Sequence, residues 1–122
     1  MTTGSVVVAV DDIFFAAKIR ATGEAVGVQP RFIVKAEEII RAALDDMPAL
    51  IIFDLHSQRV DAFEIARRIK ADERLHHIRL LGFFSHVQTE LERKARAAGF
   101  DEVMPRSAFS RRLAEILQTG IS

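Results

Sequence analysis

The segment Ala49-Leu50-Ile51-Ile52-Phe53-Asp54-Leu55 is a near-continuous apolar run that drives into a single carboxylate. A run of this length without polar alternation reads as a strand buried on both faces, which calls for a parallel sheet covered by helices on each side. Asp54 then stands at the carboxyl end of that strand, the edge where open α/β sheets gather their sites. A second run, Ser5-Val6-Val7-Val8-Ala9-Val10, ends in the pair Asp11-Asp12. If the two strands are neighbours, three carboxylates converge on one crevice. Like charges held that close repel, so the arrangement makes sense when a cation shares the site. The alternative for Asp12 is a plain helix N-cap, a common role for acidic residues after strands.

With 122 residues the chain has the length of one compact domain, expected to span 1–122. Its 49% hydrophobic content is enough to fill a core. There are no cysteines, which excludes disulfides, thiolate metal sites and cysteine nucleophiles and fits a cytoplasmic location. No run has the length to span a bilayer, and the first apolar stretch lacks the basic start of a signal peptide. Lysine plus arginine (17) balances aspartate plus glutamate (17), so the basic bias of a nucleic-acid binder is missing. Arg67-Arg68 with Lys70, and Arg111-Arg112, read as solvated faces of helices. The absence of Trp and Tyr beside nine Phe also speaks weakly against a base-stacking platform.

Short apolar runs alternate with helical periods along the chain. Strands are expected over 6–10, 29–34, 49–55, 78–84 and 102–104, with Pro30 placing the second at a sheet edge. Helices are expected over 13–24, 36–45, 62–71 and 89–98, and a final one is expected after a Ser107 cap. Phe15, Ala16 and Ile19 supply an inner face to the first helix, which Gly23 and Gly27 end. Ile39, Ile40, Ala43 and Leu44 are spaced to turn the second toward the sheet, and Pro48 stops it. Five βα units with right-handed crossovers make a doubly wound α/β fold, a five-stranded parallel sheet between two helical layers.

Asp11, Asp12, Asp54, the Ser85 hydroxyl and Arg106 then collect at the carboxyl edge of the sheet. Carboxylates there can hold a hard divalent cation such as Mg²⁺ through oxygen, with Asp11, Asp12 and Asp54 as the candidate ligands. Aspartate is a known nucleophile toward phosphoryl groups, and a nearby cation and hydroxyl would bind the phosphoryl oxygens. Arg106 is expected to point over the crevice and to pair with Asp54 or Asp11. The plainer readings are a helix cap for Ser85, a surface position for Arg106, and solvated loops for His56, His76, His77 and His86. No Gly-rich phosphate loop, serine-hydrolase elbow, HExxH or dinucleotide fingerprint occurs.

From about Val6 to Leu117 the chain resembles the receiver domain of two-component response regulators. The resemblance rests on Val10-Asp11-Asp12 for the acidic pair and on Ile51-Ile52-Phe53-Asp54-Leu55 for the phosphoacceptor strand. It extends to 60–70 as the opening of the third helix and to 98–104 as the approach to the fifth strand. It implies a flavodoxin-like (βα)5 fold with strand order 2-1-3-4-5. In function it implies a stand-alone receiver that takes a phosphoryl group on Asp54 from a histidine kinase or phosphotransfer protein, with Mg²⁺ bound, and is not itself an enzyme. With no output domain after Leu117, signalling is expected through a downstream protein partner, with a homodimer as one form and no role for nucleic acid or membrane. The helix over 89–98, the fifth strand and the last helix form the face expected to carry that contact.

Several positions depart from the family's pattern. Arg106 aligns with its lysine and Ser107 with the proline after it, and arginine is not a neutral exchange at a tight site. The hydroxyl at the end of the fourth strand aligns with Phe84 or, allowing one extra residue, with Ser85. Gln58 and Ala62 replace the usual proline and glycine, and Val103 stands at the aromatic switch position. These departures define an atypical receiver. They keep open a phosphorylation-independent binding module of the same fold and, as a third class, a small hydrolase or phosphatase using the same carboxylates.

Overall fold

Valines and isoleucines at consecutive positions favour extended backbone, and the strands they form here pair along nearly their whole length. The computed structural model describes residues 4–85 and 89–121. Its elements are β1 (Val6–Ala9), α1 (Ile13–Val26), β2 (Arg31–Phe32), α2 (Ala36–Asp46), β3 (Leu50–Asp54), α3 (Ala62–Ala71), β4 (Arg79–Phe84), α4 (Thr89–Ala98), β5 (Glu102–Pro105) and α5 (Arg106–Thr119). All neighbouring strands are parallel, in the order β2-β1-β3-β4-β5, as expected for the flavodoxin-like arrangement. No helix among the described residues is long and apolar enough to cross a membrane.

The two-residue alternation of the strands divides the core in two. Val7, Ala9, Ile51, Phe53, Leu80, Phe84 and Val103 face α2, α3 and α4. Val6, Val8, Leu50, Ile52, Leu81, Phe83 and Met104 face α1 and α5. Ile51, Ile52 and Phe53 are fully buried, and each such side chain contributes about 2 kcal/mol by leaving water. The central strand β3 is therefore held from both sides, and its last residue has little freedom to move.

Several sequence expectations are adjusted by packing. β2 shrinks to two residues, because Pro30 just before it has no N–H to donate and only Ile33 extends the ladder, to the Val8 carbonyl at 3.1 Å. α1 runs past Gly23 and closes at Gly27, whose φ of 78° is the left-handed conformation that glycine tolerates. α5 starts at Arg106 directly from Pro105, so Ser107 lies inside the first turn and caps nothing. In α2 the inward residues are Ile39, Ala42 and Ala43, with Ile40 and Leu44 at the margin. Lys70 does not lie on a solvated face. Its ammonium donates to the carbonyls of His76 (3.1 Å) and Ile78 (2.8 Å) and to Asp101 (3.0 Å), tying α3 to the loops flanking β4 and β5.

Gly23 is buried because the chain leaving α1 folds back across it. A Cβ there would sit 2.5 Å from the Val28 carbonyl oxygen and 3.0 Å from Pro30 Cδ. Gly23→Ala gains about 1 kcal/mol of helix propensity, yet it forces an atom against backbone, so a net loss of about 1–2 kcal/mol is expected. Urea unfolding measures it, and an unchanged or raised midpoint contradicts the close approach.

Candidate functional site

The carboxyl ends of β1 and β3 lie side by side, with Ala9 opposite Phe53, so Asp54 and the Asp11-Asp12 pair emerge at one edge of the sheet. Asp54 is the one buried charged residue among those described, at 7% exposure. Its Oδ1 accepts the His56 N–H at 2.9 Å, and the turn is closed by the Ser57 N–H to the Asp54 carbonyl at 3.1 Å. The second carboxylate oxygen is left facing the crevice.

Asp12 takes both roles that its sequence position allowed. Its Oδ1 accepts from the Phe14 and Phe15 N–H groups at 3.0 and 3.1 Å and so caps α1. Its Oδ2 turns toward the crevice. The Phe15 N–H is the main reason the carboxyl is held below its ordinary value of 3.8; burial opposes this, and the Phe14 N–H and Arg106 add to it. Asp11 is half-buried and joins neither of the ion pairs that follow.

Arg106 opens α5 at the end of β5 and reaches back across β4. Its Nη2 lies 3.6 Å from Asp12 Oδ2 and 3.8 Å from Asp54 Oδ2. These are ion pairs beyond hydrogen-bond range. The guanidinium rests over the Phe15 ring at 4.3 Å and near the Phe83 ring at 5.6 Å, in cation–π contact. Those rings belong to a cluster in which Phe83 stacks on Phe109 at 4.8 Å and Phe15 tilts against both. Arg106 Nε is buried with no hydrogen-bond partner.

Arg106 thus pairs with Asp54 as expected, but its other partner is Asp12 and not Asp11. A divalent ion shared by Asp11, Asp12 and Asp54 does not fit this arrangement. Among the described residues no three acidic, histidine or cysteine side chains come together closely enough to hold one. The two oxygens that face the crevice already have a guanidinium nitrogen between them.

Ser85 is exposed, one residue beyond β4, and no hydrogen bond of its hydroxyl to Asp54 or Arg106 is present. The helix start it was expected to cap adjoins 86–88, outside the described residues, as does His86. Phe84 is buried beside α3 and α4 in the same cluster as Val103, so that side of the pocket is apolar. Gln58 and Ser107 are exposed. On α4, Glu90 pairs with Arg93 at 2.7 Å and Glu92 with Arg96 at 3.7 Å, so part of its charge is balanced within the helix.

The aromatic seat beneath Arg106 escaped the sequence reading, which used the Phe count only to weigh base stacking. A signal was present. Phe15 follows Asp12 by three residues and Phe109 follows Arg106 by three, one helical turn in each case.

No protein-family model and no curated protein sequence matches the chain. Solved structures do match, over nearly its whole length. A response regulator from Hahella chejuensis superposes with a TM-score of 0.84 at 19% identity, covering 98% of this chain and 99% of that one. A chemotaxis response regulator of Vibrio cholerae gives 0.81 at 17% identity, covering 98% and 100%. A phosphorylated cyanobacterial phytochrome response regulator gives 0.74 at 18% identity, covering 94% and 89%. The chain has the fold of the receiver domains of response regulators.

Asp12→Ala removes the cap of α1 and should cost about 1 kcal/mol near neutral pH. Because the folded-state pKa of Asp12 is depressed, its charge-linked share of stability is fully present above 3.8 and is lost as pH falls through the lower folded value. The difference between wild type and Asp12→Ala in urea unfolding should therefore narrow in acid. A gap that does not change with pH would show that the charge contributes nothing.

Proposed function

We propose that this chain is a receiver-type signalling module whose Asp54 accepts a phosphoryl group from the phosphohistidine of a histidine kinase or a phosphotransfer protein. The observation that carries the reading is Asp54 itself: a buried carboxylate at the end of the central strand, one oxygen fixed by the His56 N–H and the other turned to the crevice beside a guanidinium. Fixing Oδ1 leaves Oδ2 as the attacking atom. Its bond to phosphorus forms as the phosphorus–nitrogen bond breaks, and the imidazole leaves with a proton from water. Arg106 would hold the phosphoryl oxygens, for which a planar guanidinium with two parallel donors is suited. The domain receives a group and is altered by it, so it is not a turnover catalyst. The modification replaces the carboxylate's single charge with a phosphoryl dianion, a net gain of about one negative charge at the sheet edge with three new acceptor oxygens, enough to reposition Arg106 and the start of α5. A downstream protein, or a second copy of the chain, would read the change on the face made by α4, β5 and α5.

One observation favours a second reading, a phosphorylation-independent binding module of the same fold. Phe84, one of the two positions where the resemblance places a hydroxyl, and Val103, where it places a switching aromatic, are buried in one apolar cluster, and neither is a polar group that could follow the state of Asp54.

Intact-mass analysis after incubation with acetyl phosphate separates the two. The first reading expects a single phosphoryl adduct on wild type that is absent from Asp54→Asn, with reduced labelling in Arg106→Ala. Wild type that stays unlabelled by acetyl phosphate, with and without Mg²⁺, would overturn it and leave the binding module.

A further inference from the structure

Three elements build a seat for one positive charge between two carboxylates. Asp12 and Asp54 each spend one oxygen on backbone N–H groups and aim the other at Arg106 Nη2, 3.6 and 3.8 Å away. Phe15 from α1 and Phe83 from β4 support the guanidinium from below, at 4.3 and 5.6 Å. We propose that Arg106 is the resident cation of this pocket, standing where a divalent ion would have to bind, so that Asp12 and Asp54 are held together without metal. The inference takes Asp54 as the anionic pole of the site, as above, and does not depend on phosphoryl transfer.

The argument is one of competition for the same place. Mg²⁺ requires near-octahedral oxygen at short distance and gives up its waters reluctantly. Asp12 Oδ2 and Asp54 Oδ2 share the same guanidinium nitrogen, Asp11 joins neither pair, and among the described residues no third acid gathers with them. A dication entering there must either displace that nitrogen or sit beside a like charge. Displacement also removes the guanidinium from the Phe15 face, a contact that suits a planar, weakly hydrated cation better than a compact, strongly hydrated ammonium. The guanidinium is thus partly desolvated: its Nε is buried without a hydrogen-bond partner, and its carbon lies 4.3 Å from the Phe15 ring centroid. The departure from lysine at this position and the phenylalanine beneath it therefore act together.

The test is metal binding itself, read by Mg²⁺ calorimetry and by Mn²⁺ broadening of amide signals in the full chain. Wild type should show no site-specific broadening at Asp12 to Phe15 or at Asp54 to His56 with millimolar ion. Arg106→Gln, which removes the charge, should bind Mg²⁺ at least about tenfold more tightly, as expected when two carboxylates are released to a hard cation. Adding Asp12→Asn should abolish that gain. Wild type that binds Mg²⁺ as tightly as Arg106→Gln overturns the proposal, and so does a folded Arg106→Gln with no gain. If Arg106→Gln does not fold, the Arg106 Nε–H resonance of wild type decides. It should stay in place at millimolar Mg²⁺, and a saturable shift overturns the proposal. Failure of acetyl phosphate to label Asp54 would overturn the phosphoacceptor reading alone, since none of these metal readouts involves phosphoryl transfer.

Discussion

Burying a carboxylate is costly unless hydrogen bonds and a counter-charge replace the water it loses, and the carboxyl edge of this sheet is organised around that requirement at Asp54. The His56 N–H meets one oxygen and the Arg106 guanidinium faces the other. Reaching Asp54 from the start of α5 takes the arginine across β4, over the ring of Phe83, and brings it within range of Asp12. The cap of α1, the end of β3 and the start of α5 are thereby joined through one side chain.

The two faces of the sheet serve this edge differently. On the α1 and α5 face, Phe15, Phe83 and Phe109 make a rigid aromatic base that sets the height and direction of the guanidinium. On the α3 and α4 face, Phe84 and Val103 are packed among apolar neighbours and offer no polar group to respond to charge at Asp54. Solved receivers share this fold at identities below one fifth, so the backbone tolerates wide substitution while the chemistry at its edge is free to vary. In this chain a cation is held by aromatic contact on one face, and the other face is apolar around Phe84 and Val103.

Much of the architecture could be read directly from the residues. The apolar runs ending at Val10 and Leu55 placed two central strands, and Pro30 placed the second strand at an edge, because proline cannot donate to a ladder. Asp54 at a strand end and Arg106 after the last strand also followed from the order of elements. Gly27 ended the first helix as a glycine there suggests, but Gly23, read with it as an end signal, is a glycine for another reason: the Val28 carbonyl and Pro30 pack so close to it that a side chain has no room. Ser107 misled: Pro105 delivers the chain straight into α5, and the helix begins one residue before the expected cap.

Periodicity, turn residues and the position of charges in the chain determine which segments become strands and helices and which edge of the sheet is acidic, because those preferences act between near neighbours. Which acid pairs with Arg106 is a different matter. Asp12, Asp54 and Arg106 come from three distant segments, and their meeting depends on strand register, on the oxygen that each cap leaves free and on the ring that supports the guanidinium. Those contacts exist only once the sheet is assembled. Tertiary structure therefore decided that Asp12 and not Asp11 faces the arginine, and that a guanidinium stands where the acids alone would have called for a metal ion.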